Sequence, residues 1–203
     1  MAVRAAGGDA GGGRLGSRWR RSALRVAAAA LAVWLAGGAG ARGRTLEIES
    51  EYDVKAAFLL NFARFFEWPA SSFEHPGSPF RIAVVGRDPF GASIDRIVAG
   101  KSIEGHPVIV VRMPWGPGLR EAHIVFFSDS ERKRTAEIPS LLKDCPALAV
   151  GDTGGFASHG GHVGFYLDQG RVRFEINPAA VKRSRLTVSS RLLALGKIVK
   201  DAR

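Results

Sequence analysis

Past residue 50 the chain alternates between two hydrophobic rhythms. In YDVKAAFLLNFARFFEW, from Tyr52 to Trp68, the residues Val54, Phe58, Phe62 and Phe65 recur at helical spacing. Leu59, Leu60 and Phe66 make the flanks apolar too. Such a helix is buried on more than one side, against a sheet and with a second subunit as a further candidate. Ser50 stands three residues before Asp53, a start signal, and Pro69 stops the run. FRIAVVG, HPVIVVRM, HIVFFS and ALAVGD are short apolar runs that read as buried strands of parallel type. Between them, DPFGASIDRIVAG reads as a helix ending at Gly100. SERKRTAEIPSLLKD reads as an exposed helix that Pro139 must kink or split.

The C-terminal third changes rhythm. HVGFYL and RVRFEI alternate around Asp168-Gln169-Gly170, a hairpin with an expected three-residue turn. Asn177-Pro178 is a helix N-cap followed by proline at the first helical position. That helix breaks near Arg185 and resumes at Ser189 as SSRLLALGKIV. The sum is an α/β three-layer sandwich: a mixed, mostly parallel sheet ending in an antiparallel hairpin, with helices on both faces.

Residues 1–41 stand outside this pattern. Six arginines against Asp9 precede the apolar run VAAAALAVWLA, and Ala39 and Ala41 occupy small-residue cleavage positions. This is the layout of a cleaved secretory signal. The run is too short for a span of about 20 residues. Arg20-Arg21 raises twin-arginine export, although two adjacent arginines in an arginine-rich segment carry little weight. The expected organisation is an export signal over 1–41 and one domain over 42–203. Of the +10 formal charge, only +5 remains in residues 42–203, with 23 basic and 18 acidic residues. That balance does not call for nucleic acid. The lone Cys145 excludes an intramolecular disulfide and reads as a small buried apolar residue.

Several stretches invite a chemical reading. GRDPFGAS, residues 86–93, follows the phosphate-loop spacing but has Ala92 in place of lysine. A plain strand-to-helix turn is the preferred reading. VGDTGGFASHGGHVGF, residues 150–165, combines six glycines with Asp152, Ser158, His159 and His162. A metal site needs three or four ligands and an oriented second shell. A hydrolase needs nucleophile, base and orienting acid meeting side chain to side chain. Neither pattern is present, so no catalytic residue, metal ligand or cofactor is assigned. Asp152 follows a buried strand, where α/β folds place functional acids, and it also suits a turn role. In the hairpin, Arg171, Arg173, Glu175 and Asn177 share one face by the period of two. Two readings stay open for that face: a solvated surface with a weak ion pair, or a recognition strip built on the arginine donor fork.

With these residues in view, the helix ending at Trp68-Pro69, the run FRIAVVG and the block from Val150 to Leu195 resemble the YfiR/HmsC-like family over nearly all of residues 52–199. The matching positions are Gly151, Asp152, Gly155, Phe156, Gly160, Gly161, Glu175, Asn177 and Ser189-Ser190. The resemblance implies a small periplasmic α/β protein without catalysis. It further implies repression of an inner-membrane diguanylate cyclase through that enzyme's periplasmic sensor domain, which lowers cyclic-di-GMP and biofilm formation. A homodimer is implied as well. Disulfides used by studied members cannot form here within one subunit. Arg171, Arg173, Glu175, Asn177, Asp152 and Ser189 are therefore the candidates for partner or ligand contact. The alternative is a periplasmic sensor or carrier for a small anionic or aromatic ligand such as a nucleotide or amino acid, working with another membrane receptor.

Overall fold

The computed structural model describes residues 43–202. The expected signal over 1–41 lies outside the described residues. The apolar helix α1 (Gly43–Phe65) starts earlier than the Ser50 signal indicated. No helix breaker stands between Gly43 and Phe65, so nothing halts it at the capping pattern. It also ends sooner, because Phe66–Glu67 leaves the helix as β1 to pair with β9 (Thr187–Val188) in a small antiparallel sheet.

Among the described residues, the main sheet has eight strands in the order β10-β8-β7-β6-β5-β2-β4-β3. They are β2 (Phe80–Val85), β3 (Ser102–Ile103), β4 (His106–Met113), β5 (Ile124–Phe127), β6 (Leu148–Gly151), β7 (Val163–Asp168), β8 (Arg171–Ile176) and β10 (Lys197–Ile198). Strands β4, β2, β5, β6 and β7 run parallel. The β7–β8 hairpin and the β3–β4 pair are antiparallel, and β10 joins β8 in parallel. The mixed α/β sheet is the expected one. The hairpin loop is a two-residue turn, not three: Asp168 pairs with Arg171, and Gln169 and Gly170 both adopt positive φ, as the strand twist favours. Strand β4 is half-exposed along much of its length, not buried as expected, because the two-residue β3 covers only its first residues.

Alternation sorts each strand between two cores. Phe80, Ile82, Val84, Ile124, Phe126, Leu148, Val150, Val163, Phe165, Phe174 and Ile176 face one side. There they meet α1, α2 (Ala92–Val98), Val181 of α4 (Pro178–Arg183) and Leu192 of α5 (Ser190–Leu195). Phe62 of α1 lies 5.7 Å from Phe165 and 5.3 Å from Phe174, ring centre to ring centre. Ala83, Val85, Val125, Phe127 and Ala149 face the other side. This second layer is thinner. Its cover is a run of 3-10 turns and the one-turn α3 (Ile138–Leu141). The basic segment expected as a helix is a 3-10 stretch, Asp129–Glu137, split from α3 where Pro139 enters.

Two histidines repeat one device at strand entries. The His123 amide donates to the Arg81 carbonyl, and its Nδ1 accepts the Arg81 amide at 3.1 Å. The His162 amide donates to the Ala149 carbonyl, and its Nδ1 accepts the Ala149 amide at 2.9 Å. Each ring thus supplies the acceptor that the ladder lacks where the strand begins. Both are buried, and burial pushes each ionisation from 6.5 down to about 4.

Candidate functional site

The glycine-rich segment connects β6 to β7, and its glycines answer to one side chain. Phe156 starts a 3-10 turn, Phe156–Ser158, and is buried in the second core. A Cβ on Gly151 would stand 2.5 Å from the Phe156 ring, and a Cβ on Gly161 would run into the same ring. Glycine at both places is what lets the ring sit between the strand end and the returning chain. Gly164 leaves room for Glu175, whose Oε1 would lie 3.1 Å from an added Cβ.

Asp152 follows β6 and sits under α1. Its Oδ2 accepts from the Tyr52 hydroxyl at 2.7 Å and from Lys55 Nζ at 3.0 Å. Lys55 also pairs with Glu51 at 2.6 Å, one helical turn away. The Lys55 and Asp152 side chains are each only 5 % exposed. Burial, then the hydrogen bond to Asp152 and its charge, push the Tyr52 ionisation far up, so the phenol stays a donor. Asp152 Oδ1 is buried and has no hydrogen-bond partner. The arrangement clamps the polar half of α1 onto the end of β6. Lys55 and Tyr52 are the site residues that sequence reasoning missed. The signal was a lysine inside VKAAFLL with Glu51 four residues before it.

Neither Ser158 nor His159 shares this carboxylate. His159 Nδ1 sits 2.8 Å from the Gly155 carbonyl, and the Ser158 carbonyl accepts from the Ala202 amide. Among the described residues, no three His, Cys, Asp or Glu side chains converge as metal ligands. In GRDPFGAS, Asp88 Oδ1 accepts from the Phe90 and Gly91 amides, so the loop satisfies its own donors. Arg112 straps the loop, reaching Asp88 at 3.0 Å, Asp95 at 2.6 and 2.8 Å and the Gly91 carbonyl at 2.9 Å. That hydrogen bonding holds the Asp95 carboxyl below the usual carboxylate range. Beside the loop lies an open cleft of about 550 Å³, lined by Arg112, Trp115, Glu131 and Arg134 among others. The Arg134 guanidinium stacks 4.1 Å above the Trp115 ring. Cys145 is buried; its thiol donates to the Arg120 carbonyl, and burial pushes its ionisation up.

The hairpin strip divides along its length. Arg171 and Arg173 are exposed, whereas Glu175 is 9 % exposed and Asn177 is fully buried. Asn177 Oδ1 accepts from the Ala180 amide as the α4 N-cap. Its Nδ2 donates to the Ala157 carbonyl at 3.0 Å and to Asp201 Oδ1 at 2.7 Å. Asn177 therefore joins the glycine segment, α4 and the C-terminal tail. Ser189 is the α5 N-cap, accepting from the Arg191 amide. Asp152, Glu175–Asn177 and Ser189 thus lie at separate junctions, and only Arg171 and Arg173 of the six candidates face solvent openly.

The solved structures that are similar include two at 10 % identity or below. One is a conserved domain protein from Vibrio cholerae O1 biovar El Tor str. N16961, at 10 % identity and TM-score 0.45, covering 60 % of this chain and 55 % of that one. The other is the ABC domain in complex with L-Trp from Streptococcus pneumoniae, at 9 % identity and TM-score 0.44, covering 59 % and 55 %. The chain spans about half the length of each. No curated protein matches the sequence. The family model described as YfiR/HmsC-like matches residues 52–197, from the Tyr52 that grips Asp152 to the Lys197 that opens β10, and the chain belongs to that family.

Proposed function

We propose that this protein is a non-catalytic periplasmic regulator that binds the periplasmic sensor domain of an inner-membrane diguanylate cyclase and represses it. The observation that carries the reading is the family match over residues 52–197. YfiR/HmsC-like proteins are regulatory in general. The geometry is consistent with that: Asp152, the acid best placed for chemistry, is held in a buried ion pair with Lys55. The working unit in this reading is a homodimer. Deleting the gene is expected to raise cellular cyclic-di-GMP and surface attachment, and re-expression of the exported chain to reverse both. Unchanged cyclic-di-GMP, with no membrane cyclase co-purifying with the tagged protein, refutes the assignment.

A second reading, a sensor for a small anionic or aromatic ligand, is favoured by the Arg134–Trp115 stack at the mouth of the open cleft. A ligand that binds only the folded state raises the melting temperature. The absence of any shift with nucleotides or aromatic amino acids at saturation refutes this reading.

A further inference from the structure

The net positive charge of the domain is concentrated in its C-terminal segment. Residues 171–203 carry nine basic and two acidic residues, whereas residues 42–170 carry 14 basic and 16 acidic. The fold gathers much of that excess around the β7–β8–β10 end of the sheet. By strand register, Arg173 pairs with Tyr166, Arg171 with Asp168, and Lys197 with Glu175. Tyr166, Arg171, Arg173 and Lys197 therefore share one sheet face. Lys197 Nζ lies 5.9 Å from the Tyr166 ring. Arg191 and Lys200, which precede and follow β10 in the chain, are also exposed. The only ion pair these five cations form among the described residues is Arg173 with Asp168, at 4.0 Å.

Among the described residues, the same margin holds the most exposed aliphatic side chains. Leu195 is 71 % exposed, Leu167 54 % and Ile198 50 %. By register, Leu167 lies opposite Val172, and Ile198 opposite Ile176, on the sheet face turned away from the cations. Seen edge-on, the margin presents Arg171, Arg173, Lys197 and the half-buried Tyr166 on one face and the aliphatic groups on the other, with Arg191 on the same helix as Leu195. We propose that this margin docks on an anionic phospholipid surface, the guanidinium and ammonium groups meeting phosphate headgroups while Leu195, Leu167 and Ile198 enter the acyl boundary. Strand addition by a protein partner fits less well. The outer strand β10 is two residues long and begins with a lysine, and short, lysine-bearing edges disfavour pairing. The cations are also spread over an edge and a helix end, matching diffuse charge better than a pocketed carboxylate.

The test is vesicle co-flotation of the purified protein, with phosphatidylcholine alone and with phosphatidylcholine mixed with phosphatidylglycerol. Binding is expected only with the anionic vesicles and should weaken as salt is added. Arg171→Ser with Arg173→Ser removes two headgroup contacts and should weaken partition about 30-fold, at about 1 kcal/mol per cation. Leu195→Ser with Ile198→Ser should abolish the fraction that resists salt. Arg87→Ser with Arg96→Ser, at the β2–α2 end, should change nothing. Thermal melts establish that each variant is folded. Equal flotation with both vesicle types, or full anionic binding by the Arg171→Ser/Arg173→Ser variant, overturns the proposal. If that variant keeps vesicle binding but loses a membrane protein partner, the margin is a protein-docking face and the lipid assignment falls. Unchanged cyclic-di-GMP in the deletion strain would sink the cyclase reading and leave the vesicle result standing.

Discussion

Acidification should unfold this domain through two histidines. His123 and His162 each accept a strand amide at Nδ1, so each ring must be neutral, with its proton on Nε2. His123 Nε2 is placed to donate that proton to the Ser72 carbonyl, 3.1 Å away. Burial lowers both ionisations from 6.5 to about 4. In the folded state the rings stay neutral while the unfolded chain takes up protons near pH 6.5. The stabilisation from these groups is therefore complete above pH 6.5 and is lost as pH falls towards 4. Between pH 6.5 and 4.5 each ring withdraws roughly 2–3 kcal/mol, at about 1.4 kcal/mol per pH unit. Against a typical net stability of about 5–15 kcal/mol, two such groups decide whether the domain stays folded. Urea denaturation followed by circular dichroism at pH 7, 5.5 and 4.5 measures the loss. The informative variants are His123→Asn and His162→Asn, because an asparagine Oδ1 can take the place of Nδ1 as acceptor but cannot be protonated in this range. The double variant should be less stable than the parent at pH 7 and lose much less on acidification. An identical pH slope in the two proteins refutes the reasoning, since carboxylates elsewhere would then carry the acid response.

Three further outcomes follow from the same geometry. Asp152→Asn should lower stability by about 3 kcal/mol, the low end for breaking a buried pair because Glu51 remains beside Lys55; Lys55→Met in the same chain should recover much of the melting temperature. Gly161→Ala should cost about 1–3 kcal/mol by overpacking the Phe156 ring, and Phe156→Leu should relieve part of that cost in denaturant titrations. Asn177→Ala should cost about 2 kcal/mol or more, since it removes the α4 cap and leaves the Ala157 carbonyl without its donor; hydrogen exchange should rise first in the α4 amides.

The parts of the fold that depend on local rhythm were readable. The strands β2, β5 and β6 are continuous apolar runs, the hairpin alternates, and Asn177-Pro178 marks its helix start. What the rhythm could not show was set by partners distant in the chain. Phe66–Glu67 reads as helix, yet it becomes a strand because Thr187–Val188 lies alongside it. Nothing near His123 in the chain marks it as a strand-capping acceptor; the strand order puts Arg81 next to it. Lys55 sits 97 residues from Asp152, and nothing near either residue names the other.

The candidate site shows the same division more sharply. Period-two alternation placed Arg171, Arg173, Glu175 and Asn177 on one face, but burial along that face depends on which distant segment folds across it. The turn Phe156–Ser158 covers the Asn177 end, where Ala157 receives the Asn177 amide, and stops short of Arg173. The polar groups that looked chemical, namely Asp152, His162, Asn177 and Ser189, turn out to be consumed in holding segments together. In each case a hydrogen bond ties a side chain to a backbone group or to a helix. The groups left free are the ones that looked bland, exposed arginines and lysines beside exposed leucine and isoleucine. A regulator that works by contact needs a rigid frame and an unsatisfied surface. Here the glycine-rich segment belongs to the frame, and the cationic margin that begins seven residues beyond Gly164 belongs to the surface.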